Sequence, residues 1–157
     1  MKKIIKLFDP MFDQKEQSAI QNVLKSKFWA SGSGSGKVLE FENKFKKYIE
    51  TKECIAVNSG TAALHLALSV LDIKNKEVIL PSLSFVSTAN AVLYNGGKPV
   101  FVDVDPKTLC IDPEQIRKKI TKKTSAVMPV HFGGFPANLK EINSICSKNN
   151  LHLIEDA

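Results

Sequence analysis

Ser59-Gly60-Thr61 follows one apolar run and opens another, so a helix N-terminus, free backbone amides and two hydroxyls meet at one point. That combination suits an anion such as a phosphate, because the first amides of a helix lack an intrahelical acceptor and carry the positive end of its dipole. A serine cap on a tight glycine turn would have the same sequence, so the segment alone decides nothing. Phe85 stands in the loop segment Ser82-Leu83-Ser84-Phe85 rather than in a helical stripe. It either offers a flat face to a planar ring or closes the core. Asp156 is a single acid after the run Leu151-His152-Leu153-Ile154. It is placed either to hold a protonated heterocyclic nitrogen or to cap a following element. His131, in His131-Phe132-Gly133-Gly134, has equal claims to a site and to structure.

Other chemistries find less support. In the loop Trp29-Ala30-Ser31-Gly32-Ser33-Gly34-Ser35-Gly36, Ser31 stands where a P-loop needs its first glycine, and Val38 follows Lys37 where serine or threonine is required. Gly32 and Gly34 are followed by Lys37 where a dinucleotide fingerprint needs its third glycine. A flexible connector is the expectation there. His65, His131 and His152 show no metal-ligand spacing, and His65 and His152 read as structural. The three cysteines, Cys54, Cys110 and Cys146, are odd in number and form no CxxC pair. They read as small core residues rather than a disulfide framework or zinc site, which points to a reducing cytoplasm. The net charge of +6 comes from lysines scattered over helix faces and turns, among them Lys44, Lys74, Lys118 and Lys123. A solvated surface is favoured over nucleic-acid binding, and an anionic substrate would suit the charge equally.

The elements that must hold these residues fall into two textures. Asp13 with Glu16 makes a capping pair ahead of Ile20, Val23 and Leu24, and Val38, Phe41, Phe45, Tyr48 and Ile49 recur at helical spacing. Residues 1–50 are therefore expected to form a helical arm that packs elsewhere. From residue 51 onward short apolar strands alternate with helices. Strands are expected over 54–57, 77–80, 99–104, 125–130 and 151–155, and helices over 61–71, 86–94, 113–120 and 139–148. Asp112-Pro113-Glu114-Gln115 and Asn138-Leu139-Lys140-Glu141 are helix starts. This alternation predicts an α/β domain with a mostly parallel sheet and helices on both faces. The helix through Ala62-Ala63-Leu64-His65-Leu66-Ala67-Leu68 is apolar nearly all round and is expected to be buried. The candidate residues then converge beyond the carboxyl ends of the strands, where open α/β sheets bind ligands. No apolar run is long enough for a membrane span, and no signal peptide is expected at the start.

Taken in order, these segments resemble the DegT-type sugar aminotransferases, which are fold-type I pyridoxal-phosphate enzymes. The likeness is carried by Phe28-Trp29-Ala30-Ser31-Gly32, Phe41-Glu42, Asn58-Ser59-Gly60-Thr61-Ala62-Ala63-Leu64-His65, Glu77-Val78-Ile79-Leu80-Pro81-Ser82 and Ser84-Phe85-Val86-Ser87-Thr88-Ala89-Asn90-Ala91. It continues through Pro99-Val100-Phe101-Val102-Asp103-Val104-Asp105, Pro129-Val130-His131-Phe132-Gly133-Gly134 and Ile154-Glu155-Asp156-Ala157. The resemblance implies the large cofactor-binding domain of that fold over residues 51–157, truncated and without its small C-terminal domain. It also implies pyridoxal 5'-phosphate as cofactor, with Gly60 and Thr61 on its phosphate, Phe85 stacked on its ring and Asp156 paired with the ring nitrogen. A nucleotide-linked keto-sugar, an amino-acid donor such as glutamate, and a homodimer with active sites at the subunit interface follow from the same likeness.

None of the lysines present matches the family's Schiff-base motif, which is expected beyond Ala157, so no catalytic residue is expected within the chain itself. The parent would be a transaminase and this piece inactive alone. A sugar dehydratase of the same family is the nearest alternative, and a non-catalytic remnant or binding module the next.

Overall fold

The structure, a computed structural model, describes residues 5–6, 9–29 and 36–157. It divides into two units, Met1–Ala56 and Val57–Ala157. The first carries helices α1 (Gln14–Ser26) and α2 (Gly36–Tyr48). The capping pair forms as the sequence predicts. The Asp13 carboxylate accepts the Lys15 amide at 2.6 Å, and Glu16 reaches back to the Asp13 amide at 2.7 Å. That backbone donor holds the Glu16 carboxyl below its ordinary range. Neither helix buries a residue, and Ile20, Leu24, Phe41 and Phe45 stay exposed. Most of the Gly-Ser connector, residues 30–35, lies outside the described residues.

The second unit contains α3 (Gly60–Ser69), β1 (Glu77–Pro81), α4 (Val86–Tyr94), β2 (Lys98–Val102), α5 (Pro113–Lys119), β3 (Thr124–Val127), α6 (Leu139–Asn149) and β4 (His152–Leu153). The four strands form one sheet in the order β2-β1-β3-β4, and every pairing is parallel. Side chains alternate across it. Val78, Leu80, Ala126 and Met128 pack with Leu64, Leu68, Ala91 and Val92 of α3 and α4 on one face. Ile79 and Val127 pack with Ile116 of α5 and Ile142, Ile145 and Cys146 of α6 on the other. Each fully buried aliphatic side chain contributes about 1.5–3 kcal/mol of transfer free energy, so the two clusters hold the layers together. Both predicted helix starts carry side-chain caps: Asp112 accepts the Glu114 amide and Asn138 the Glu141 amide.

Two expectations need correction. Residues 54–57 form no strand. The Ala56 amide, which a ladder would need, donates instead to the Glu42 carboxylate of α2 at 2.9 Å, and Ile55 is exposed. Helix α3 is not buried all round either. It buries Leu64 and Leu68, whereas Ala63, Leu66 and Ala67 face outward, because its packing runs along a single stripe against α4. The strand ends shift by a few residues, with β3 and β4 stopping early as regular strands. Their pairing nevertheless runs on, as Ile154 donates to the Val127 carbonyl, Asp156 to that of Pro129, and His131 to that of Asp156. Cys110 and Cys146 are buried, Cys54 is half-buried, and all three are free thiols.

Candidate functional site

The extended pairing of β3 and β4 fixes the backbone of Asp156, through a parallel bridge to Val130 at the carboxyl edge of the sheet. Parity then sets the direction of its side chain. Leu153 packs on the face of α5 and α6 and Ile154 on that of α3 and α4. Glu155 and Asp156 accordingly point to opposite sides. Asp156 is half-buried and its Oδ2 accepts the Thr88 hydroxyl of α4 at 2.6 Å. Thr88 is 1% exposed, and its oxygen lies 2.5 Å from the Ser84 hydroxyl. Three polar side chains from the loop after β1, the first turn of α4 and the end of the β4 segment thus form one chain.

Phe85 is the N-cap residue of that same helix, three positions before Thr88, and its ring is 76% exposed. It does not close the core. Gly60 and Thr61 begin α3, which packs beside α4. Ser59 caps this helix, accepting the Ala62 amide on its hydroxyl at 3.2 Å and the Ala63 amide on its carbonyl at 3.0 Å. The amides of Gly60 and Thr61 precede the first intrahelical bond and point outward from the helix end. A Cβ added at Gly60 would meet nothing within 4 Å, so the space before this turn is open.

His131 belongs to the other face. Its Nδ1 accepts the Ala137 amide at 3.0 Å, so the ring proton sits on Nε2 and points at the Glu155 carboxylate, 3.0 Å away. Both ring nitrogens are engaged in holding the turn Phe132–Gly134 to the end of β4. Gly133 and Gly134 there adopt φ of 63° and 81°, which a glycine tolerates without strain. Among the described residues no group of three or more His, Cys, Asp or Glu side chains could hold a metal ion, and no helix is long and apolar enough to cross a membrane.

Residues 10–157 match the model of the DegT/DnrJ/EryC1/StrS aminotransferase family. The chain belongs to this family. Family aminotransferases depend on pyridoxal phosphate, and NtdA from Bacillus subtilis, among the solved relatives, has bound cofactor PMP. One curated relative is the dTDP-4-dehydro-2,3,6-trideoxy-D-glucose 4-aminotransferase of Saccharopolyspora spinosa, 38% identical over 98% of this chain and 40% of that protein. Another is the spore coat polysaccharide biosynthesis protein SpsC of Bacillus subtilis, 39% identical over 94% of this chain and 38% of SpsC. Among solved structures, GDP-4-keto-6-deoxymannose-3-dehydratase with a trapped PLP-glutamate geminal diamine superposes with a TM-score of 0.87. It is 32% identical, over 97% of this chain and 40% of that one. The chain spans 38–42% of the length of the first curated relatives it matches.

Thr88 was missed as a site residue by the sequence. Its one available signal was a hydroxyl on the inward stripe of α4, in register with the buried Ala91 and Val92.

Proposed function

We propose that this chain is the cofactor-holding front part of a pyridoxal-phosphate aminotransferase that acts on a nucleotide-linked keto-sugar in polysaccharide or glycan synthesis. Residues 51–157 supply the cofactor side of the large domain and residues 1–50 an N-terminal arm. The observation that carries the reading is the Asp156 carboxylate, fixed at the carboxyl edge of the sheet by Thr88 on one oxygen. The residues suit the cofactor. The open turn at Gly60 and Thr61 fits a phosphate, an outward Phe85 ring fits a flat heterocycle, and a half-buried carboxylate fits a protonated ring nitrogen.

When bound, pyridoxal phosphate supplies an electron sink that accepts the electron pair left when a proton leaves the carbon bearing nitrogen. Gly60 and Thr61 would anchor the phosphate through their amides and the Thr61 hydroxyl. Phe85 would cover one face of the ring and exclude water from it. Asp156 would keep the ring nitrogen protonated, which is the condition for the sink to work. The Schiff-base lysine is assigned to sequence outside residues 1–157. Several lysines of the second unit, Lys76, Lys98, Lys122 and Lys123, lie at or next to the amino ends of the strands, the edge opposite Asp156. Glutamate as amino donor, a homodimer and a cytoplasmic location complete the proposal.

Reduction of the full-length protein with borohydride fixes the cofactor to its lysine, and peptide mapping then locates it. An adduct outside residues 1–157 is expected, and one on any lysine within them would overturn the assignment. A second reading, dehydration of a keto-sugar, is favoured by the dehydratase among the solved relatives. Product analysis separates the two: an amino sugar supports transamination, a deoxygenated keto-sugar the dehydratase.

A further inference from the structure

A valine would fill the space of Thr88 with the same shape, so the structural need at this position is for a branched side chain of that size. What threonine adds is a hydroxyl, on a residue that is 1% exposed and shares the buried stripe of α4 with Ala91 and Val92. Burying a hydroxyl without partners is costly, so its partners define its use. An ionised carboxylate can only accept, and the Thr88 proton is therefore committed to Asp156 Oδ2 at 2.6 Å. The Thr88 oxygen is then left to accept from Ser84, 2.5 Å away. Among the described residues no hydrogen bond is made by Asp156 Oδ1. One carboxylate oxygen is tied down and the other is presented.

We propose that Thr88 is a positioning residue: with Ser84 behind it, it clamps Oδ2 of Asp156 and thereby aims Oδ1 at the ring nitrogen of the cofactor. This inference rests on the role of Asp156 given above and goes beyond it. The clamp also sets spacing. Phe85 caps the helix whose first turn carries Thr88, so the surface on which the ring lies and the anchor that aims the carboxylate belong to one rigid element. A shift of that helix start would move both together and leave the ring and the acid in register. A preorganised group of this kind avoids the reorganisation that a freely rotating carboxylate would need on each encounter.

The test compares two ligands on the full-length protein freed of cofactor: pyridoxal phosphate, and its 1-deaza analogue, in which C–H replaces the ring nitrogen. Bonds to the phosphate, the ring face and the lysine are common to both ligands and cancel. Wild type should prefer pyridoxal phosphate, and Asp156→Asn should abolish the preference. Thr88→Val is expected to weaken pyridoxal phosphate by about tenfold while the analogue changes by less than about twofold, and Thr88→Ser should restore the wild-type preference. Ser84→Ala, which leaves the buried position untouched, should give a smaller loss of the same preference and serves if Thr88→Val does not fold. Equal weakening of both ligands by Thr88→Val and Ser84→Ala would mean that the hydroxyls serve the fold alone, and would overturn the inference. So would an unchanged preference in both variants alongside its loss in Asp156→Asn, which leaves the role of Asp156 standing. Should wild type bind both ligands equally, the role of Asp156 fails and the clamp falls with it.

Discussion

Replacing Asp156 by asparagine removes one negative charge and changes little else in shape. The amide oxygen of asparagine can still accept from Thr88, so the 2.6 Å bond survives as a neutral one of about half the strength. A charge-assisted bond contributes about 1.5–3 kcal/mol and a neutral one about 1 kcal/mol, so folding stability should fall by no more than about 1–2 kcal/mol. The cofactor should suffer more. In the role proposed for Asp156, loss of the charge would forfeit another bond of about 1.5–3 kcal/mol, or roughly 10–150-fold in affinity. Turnover should fall further, because in the proposed role the carboxylate would stabilise charge that the bound cofactor takes up during reaction. Absorbance titration with pyridoxal phosphate, a thermal melt and a turnover assay on the full-length protein measure the three quantities separately. Glu155→Gln is the matched control. Its carboxylate is 44% exposed and pairs with His131 on the opposite face, a contact of less than about 1 kcal/mol. The cofactor spectrum should stay as in wild type in Glu155→Gln and change in Asp156→Asn. Near-normal turnover and spectrum in Asp156→Asn would refute the assignment, and the reverse pattern would mean that the acid on the other face faces the cofactor.

Gly97→Ala should destabilise the domain by about 1–3 kcal/mol, because the new Cβ would lie 2.9 Å from Val92 Cγ1 and 3.0 Å from Ile73 Cδ1, both in the packed core. An unchanged denaturation midpoint of the full-length protein would count against that packing. Glu40 accepts from both Lys37 and Lys44, which hold its carboxyl down to about 2 from an ordinary 4.5. Its folded value is depressed, so whatever it contributes to α2 is present above about 4.5 and is lost as pH falls towards 2. An NMR titration of the Glu40 side chain with a midpoint near 4.5 would show that the double pairing does not persist in solution.

Local signals were enough for much of this fold. The caps at Asp13, Asp112 and Asn138 act within one turn of themselves, so three or four residues specify them. The apolar runs that became β1 to β4 needed only alternation with helices to imply a parallel sheet. What failed was decided at longer range. Residues 54–57 have the composition of a strand, yet Glu42, 14 residues before Ala56, takes the amide that a ladder would use. Helix α3 has apolar residues on every side, and only its contact partners determine which of them are covered. Ser59 and Asp156 were legible as types, while the clamp on Asp156 joins residues 68 positions apart and has no local signature.

Parallel topology explains why a site made of such distant pieces forms at all. When neighbouring strands run the same way, each must be reached by a crossover, and every strand ends at the same edge of the sheet. The loop that leaves β1 carries Phe85 and starts the helix bearing Thr88, while the end of the β4 segment carries Asp156. With β3 between them in the order β2-β1-β3-β4, the first and last of these strands are brought within reach of one helix start. Alternation then divides the last two acids between the faces. Asp156 meets the hydroxyl clamp of α4, and Glu155 meets His131, which holds the turn before α6. A one-residue slip of β4 would exchange these environments, placing Glu155 toward Thr88 and Asp156 toward His131. The Val127 and Pro129 carbonyls oppose such a slip by accepting the amides of Ile154 and Asp156, and the burial of Ile154 against the α3 and α4 face opposes it from the side. The register of a very short strand therefore determines which carboxylate faces the proposed cofactor site.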